Sequence, residues 1–73
     1  MVTLKNFEPR HNSEGKRIVE VILYVDSLDN LPTEASEIDG LLPDDELDDG
    51  SIALDMTTGK VAMYDGTSWN QWS

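Results

Sequence analysis

The chain has 73 residues, no cysteine and a single histidine, with a formal net charge of −10 from five Lys+Arg and fifteen Asp+Glu. That length holds one small domain, residues 1–73, which alone buries only about 60% of the surface its unfolded form exposes. Disulfides, thiolate metal sites and multi-histidine zinc sites are excluded, so association with another chain is the remaining common way to stabilise it.

Residues 1–8, MVTLKNFE, carry Val2, Leu4 and Phe7 and read as a short strand or an arm. They lack the apolar stretch of a signal peptide, so synthesis in a cytoplasm is expected. Residues 9–16, PRHNSEGK, are polar and contain Asn12 and Gly15, which marks a turn or mobile loop. Residues 1–16 are thus an arm or a first hairpin, and the residues before and after 9–16 are placed to pair across it. Residues 17–26, RIVEVILYVD, form the best strand, dense in β-branched and aromatic side chains. Val19, Val21, Leu23 and Val25 line one face; Ile18, Ile22 and Tyr24 line the other, broken by Glu20. Two apolar faces imply cover on both sides. The second face is covered either by a partner chain or by residues 31–47 folding over it. At eight residues, the run 18–25 is far short of the ~20 that span a bilayer.

Ser27 is placed to cap a turn that Asn30 breaks. Residues 33–40, TEASEIDG, predict one helical turn with Thr33 as N-cap and Gly40 as terminator. Leu41, Leu42 and Pro43 are expected to dock on the sheet. Residues 44–50, DDELDDG, are an acidic run broken by Leu47. Residues 51–55 alternate, with Ile52 and Leu54 on one face and Ser51, Ala53 and Asp55 on the other. Two further strands follow, 61–64 and 69–72, joined by turns at 57–60 and 65–68 in which Gly59 and Gly66 supply positive φ. The fold class is mainly β: a small antiparallel sheet with a C-terminal three-stranded meander and a short helical turn or loop in the middle.

No catalytic, cofactor or metal site is expected. Setting Gly50 at the sixth place of a calcium loop puts Leu47 third and Met56 twelfth, where oxygen ligands are required. Ca²⁺ bound loosely by Asp44, Glu46 or Asp48 is weighed against a solvated acidic loop, or one facing a basic partner, and the loop is preferred. His11 lies beside Ser13 and Glu14 in a mobile loop, which cannot hold a nucleophilic relay. A chain this small does not build the cleft that paired carboxylates need for glycoside hydrolysis. Nucleic acid is an improbable partner, because a phosphate backbone is repelled by this acidity. The charge is also uneven: residues 1–25 hold four basic against three acidic residues, whereas residues 26–73 hold one lysine against twelve acids. This is either an acidic solvated surface or a sign that the halves meet different neighbours. Trp69 and Trp72, three apart, fall on opposite faces of a strand, so one fills the core and the other lies on the surface. Ile18, Ile22, Tyr24, Trp69 and Trp72 are the interface candidates.

Two stretches carry a resemblance. YVDSLDNLPTE, residues 24–34, resembles the DS-x-x-DLP segment of small proteins encoded by phages and prophages of Gram-positive bacteria. GSIALDMTTGKVAMYDGTSW, residues 50–69, is similar to the GS-x-A…TG-x-V…DG-x-x-W segment that follows it there. Asp29-Asn30 replaces the usual acidic pair, and Ala62-Met63 stands where a bulky aromatic is common. The resemblance implies a virion structural protein, located in the phage particle and acting by protein–protein assembly. A head decoration or head-fibre base protein is the first choice; a tail or adaptor component, or a small glycan-binding module, is the alternative. The partners implied are other phage structural subunits and copies of itself, without nucleic acid or membrane.

Overall fold

The structure, a computed structural model, describes residues 2–29 and 31–72. Among the described residues six strands form one sheet: β1 (Val2–His11), β2 (Arg17–Val25), β3 (Glu46–Leu47), β4 (Ile52–Asp55), β5 (Val61–Tyr64) and β6 (Trp69–Gln71). Their order is β1-β2-β4-β5-β6, with β3 pairing the start of β2 on the side where β4 pairs its end. The protein is mainly β, and β4–β6 form the expected antiparallel meander. β3 and β4 run parallel to β2, so the sheet is mixed. The segment between β2 and β3 is the crossover that parallel pairing requires.

β2 is paired along both edges, and one of its faces is removed from solvent: Val19, Val21 and Leu23 are at 0% exposure. The crossover lies over this face. Its 3-10 turn, Ala35–Glu37, contributes Ala35, and Ile38 follows; both are buried, with Leu28, Leu31 and Leu41 packed against the same cluster. Thr33 is not the cap. Glu34 takes that place with extended backbone and no side-chain cap bond, so burial of Ala35 and Ile38 holds the turn. Ser27 accepts from the Asp29 N–H at 3.1 Å, as expected of a turn former; Asn30 lies outside the described residues. Leu41 docks, but Leu42 points to solvent.

The loop expected at 9–16 is shorter than that. Pro9, Arg10 and His11 belong to β1, and only residues 12–16 turn, where Asn12 Oδ1 accepts from the N–H groups of Glu14 and Lys16. Proline is tolerated there because β1 is an edge strand. Residues 2–16 are therefore one arm and turn of a hairpin with β2, with a bulge between Leu4 and Asn6.

Both meander turns are headed by an aspartate. Asp55 Oδ1 accepts from the N–H groups of Thr57 and Thr58, and Asp65 Oδ1 from those of Thr67 and Ser68. Gly59 and Gly66 have φ of +75° and +100°, a conformation glycine adopts without the Cβ penalty.

Between β3 and β4 the neighbour of β2 is interrupted, and Ser51 fills the gap. Its Oγ accepts from the buried Val21 N–H at 3.1 Å and donates to the Asp48 carbonyl at 2.8 Å. A hydroxyl thus replaces a missing ladder bond on the central strand.

Candidate functional site

The crossover covers one face of the sheet; among the described residues nothing covers the other. Strand register defines this open face row by row. Thr3, Tyr24, Leu54 and Val61 are successive neighbours, and the Trp72 N–H bonds to Val61 O, which extends the row to Trp72. The next row is Asn6, Ile22, Ile52, Met63 and Asn70. Neither row holds a charged side chain. Beyond them lie Glu8 opposite Glu20, and then Arg10, Ile18 and Glu46. The face is therefore half apolar and half charged.

On β4 and β5 the larger aliphatics point to the open side. Ile52, Leu54, Val61 and Met63 are only half-buried, whereas Ser51, Ala53, Asp55 and Ala62 are buried against the crossover. Ile22 keeps 38% exposure and Trp72 keeps 71%.

Of the five interface candidates, Ile18, Ile22, Tyr24 and Trp72 lie on this face. Trp69 lies on the covered one. Its ring sits 5.2 Å from that of Tyr64, and its Nε1–H donates to the Pro32 carbonyl at 2.7 Å. That bond ties the 24–34 stretch to the 50–69 stretch.

The acidic run finds its cations in the β1–β2 hairpin. Arg10 forms a two-pronged pair with Asp48, Nε–Oδ2 at 3.0 Å and Nη2–Oδ1 at 3.1 Å. The bond from Arg10 holds the Asp48 carboxyl below its ordinary pKa, against the opposing effect of burial. Lys16 lies 3.8 Å from Glu46, and Arg17 Nε lies 3.2 Å from the buried Asp45. That nitrogen is close enough for ion pairing but not aligned for a hydrogen bond. Asp45 instead accepts from the Leu42 N–H, and the Arg17 guanidinium lies 5.8 Å from the Phe7 ring centre. The basic N-terminal and acidic C-terminal parts thus meet each other within the chain. Asp44 and Asp49 remain exposed.

An open cleft of about 430 Å³ runs between Thr33–Glu34, the acidic run and Tyr64. Among the described residues no three His, Cys, Asp or Glu side chains are grouped to hold a metal ion. His11 ends β1, exposed and opposite Arg17. Among the described residues no helix is long and apolar enough to cross a membrane. Compared with protein-family models, curated proteins and solved structures, the chain matches none.

Proposed function

We propose that this protein is a structural component of a tailed-phage particle, a head decoration or head-fibre base subunit, that acts by protein–protein assembly and catalyses no reaction. The observation that carries the reading is the uncovered apolar half of the sheet. A chain that turns Ile52, Leu54 and Met63 outward while burying Ser51 and Ala53 has the surface of a subunit, since contiguous exposed apolar area marks interaction sites. The likeness of residues 24–34 and 50–69 to small phage proteins supplies the particle. The Trp69–Pro32 bond gives a physical reason for those stretches to occur together.

The test is quantitative mass spectrometry of purified particles from a host strain expressing this chain, with heads and tails separated. A fixed copy number per head supports the reading; a fixed number per tail moves the subunit to the tail. Absence from both refutes it.

A further inference from the structure

We propose that the apolar half of the open face binds a second copy of this chain, sheet on sheet. The inference deepens the assembly reading above and rests on its assignment of this face as the docking surface.

Charge placement selects the occupant. In a chain of net charge −10, the two rows through Tyr24 and Ile22 carry no formal charge. Asp29, Glu34, Glu37, Asp39 and Asp44 belong to the crossover on the opposite side of the sheet. Two sheets packed face to face lie about 10 Å apart, with each crossover a further layer behind its own sheet. The crossovers of a face-to-face pair are then about 30 Å apart, more than three screening lengths at the roughly 8 Å of physiological salt. Docking through the crossover side would instead bring these acids together.

Geometry places the axis. A two-fold running across the strands between the two apolar rows lays apolar half on apolar half. The Arg10–Asp48 pair then overhangs into solvent, and Glu8 and Glu20 lie at the rim, over the end of the other copy where Asp26 follows Tyr24. Five strands by two rows span roughly 24 Å by 14 Å. At about 340 Å² a side, or about 670 Å² in total, this falls below the roughly 1,000 Å² of stable specific interfaces, so a weak, transient dimer dissociating at sub-millimolar concentration is expected. Tyr24 and Trp72 are its anchors, aromatic residues being enriched where interfaces hold most tightly.

The experiment is sedimentation equilibrium of the purified full chain from micromolar to millimolar concentration, at low and high salt. The expected result is reversible doubling of mass, tightening as salt screens two acidic bodies. Met63→Lys and Trp72→Ser should each raise the dissociation constant at least tenfold, with circular dichroism of the dilute protein unchanged. Leu42→Lys, on the exposed crossover, should leave it unchanged. Trp72 is so exposed that its replacement keeps the test decisive if Met63→Lys fails to fold. A strict monomer at millimolar concentration, open-ended assembly, dissociation on adding salt, or equal weakening by Leu42→Lys would each overturn the proposal. A monomer present at fixed copy number in particles would sink this inference alone; a dimer absent from particles would sink the virion reading alone.

Discussion

Replacing Ser51 by alanine removes one oxygen from a fully buried site. Ser51 and Val21 are both at 0% exposure, and the lost atom is the acceptor for the Val21 N–H. The Asp48 carbonyl keeps a bond from the Ser51 N–H at 3.3 Å, so the loss falls on the Val21 donor. A buried donor left without an acceptor costs about 1–3 kcal/mol. A chain of this size has roughly 4–11 kcal/mol in total at typical per-residue stability. At about 4–8 °C per kcal/mol, a loss near the middle of that range lowers Tm by roughly 8–16 °C. The assays are urea melts of Ser51→Ala beside the exposed control Ser13→Ala, and amide exchange at Val21. Exchange at Val21 should accelerate beyond what the global loss explains. A variant within about 0.5 kcal/mol of the parent, with a Val21 amide still slow to exchange, would refute the account of the gap between β3 and β4.

Three further outcomes follow from the same geometry. Trp69→Phe should destabilise by about 1–3 kcal/mol through the orphaned Pro32 carbonyl, whereas Trp72→Phe should leave the fold stability of the dilute monomer nearly unchanged; comparable losses in chemical denaturation would contradict the two placements. Gly59→Val meets no atom within 4 Å of its new Cβ, so its expected loss of about 1–2 kcal/mol is left-handed backbone strain alone, and Gly59→Asn should recover most of it. Asp65 is held below its ordinary pKa by the N–H groups of Ser68 and Thr67, and at Asp55 burial opposes ionisation but bonds from Thr57 and Thr58 outweigh it. With folded pKa values below unfolded ones, their stabilisation is present above the ordinary carboxylate value near 4 and is lost as pH falls through the lower folded values. An Asp55→Asn/Asp65→Asn double variant should therefore show a flatter decline of Tm on acidification, and an unchanged acid limb would count against the turn assignments.

The central strand and the two meander turns were legible because their signals are local. Density of β-branched residues marks 17–26, and Gly59 and Gly66 mark places where the chain must take positive φ. Pro9 misled as a loop signal because its tolerance depends on β1 lying at an edge, a property of the whole sheet. The alternation of residues 51–55 was visible, but its sense was not: Ser51, Ala53 and Asp55 are the buried set, and apolar Ile52 and Leu54 take the open face. The parallel pairing of β2 with β4 joins residues about thirty apart, and no local pattern encodes it. Ser51 was passed over for a similar reason, since its value arises only where two short strands leave a gap beside a third. The cations for the acidic run were narrowed to the N-terminal part or another subunit by counting alone; folding the hairpin beside β3 brings Arg10, Lys16 and Arg17 to it.

The place of β4 beside β2 also sets the order in which the molecule can be built. The β1–β2 hairpin and the β4–β6 meander each close through neighbouring residues, but their union waits until residue 55 has been made. At about 5–20 residues per second, synthesis separates the end of β2 from the end of β4 by roughly 1.5–6 s, during which the inner edge of β2 lacks this neighbour. An unpaired edge is a template for any matching strand, and in a crowded assembly the nearest match is the meander of another copy. A meander exchanged in this way would seal the edge as well as its own does, giving swapped pairs whose abundance rises with the rate of expression.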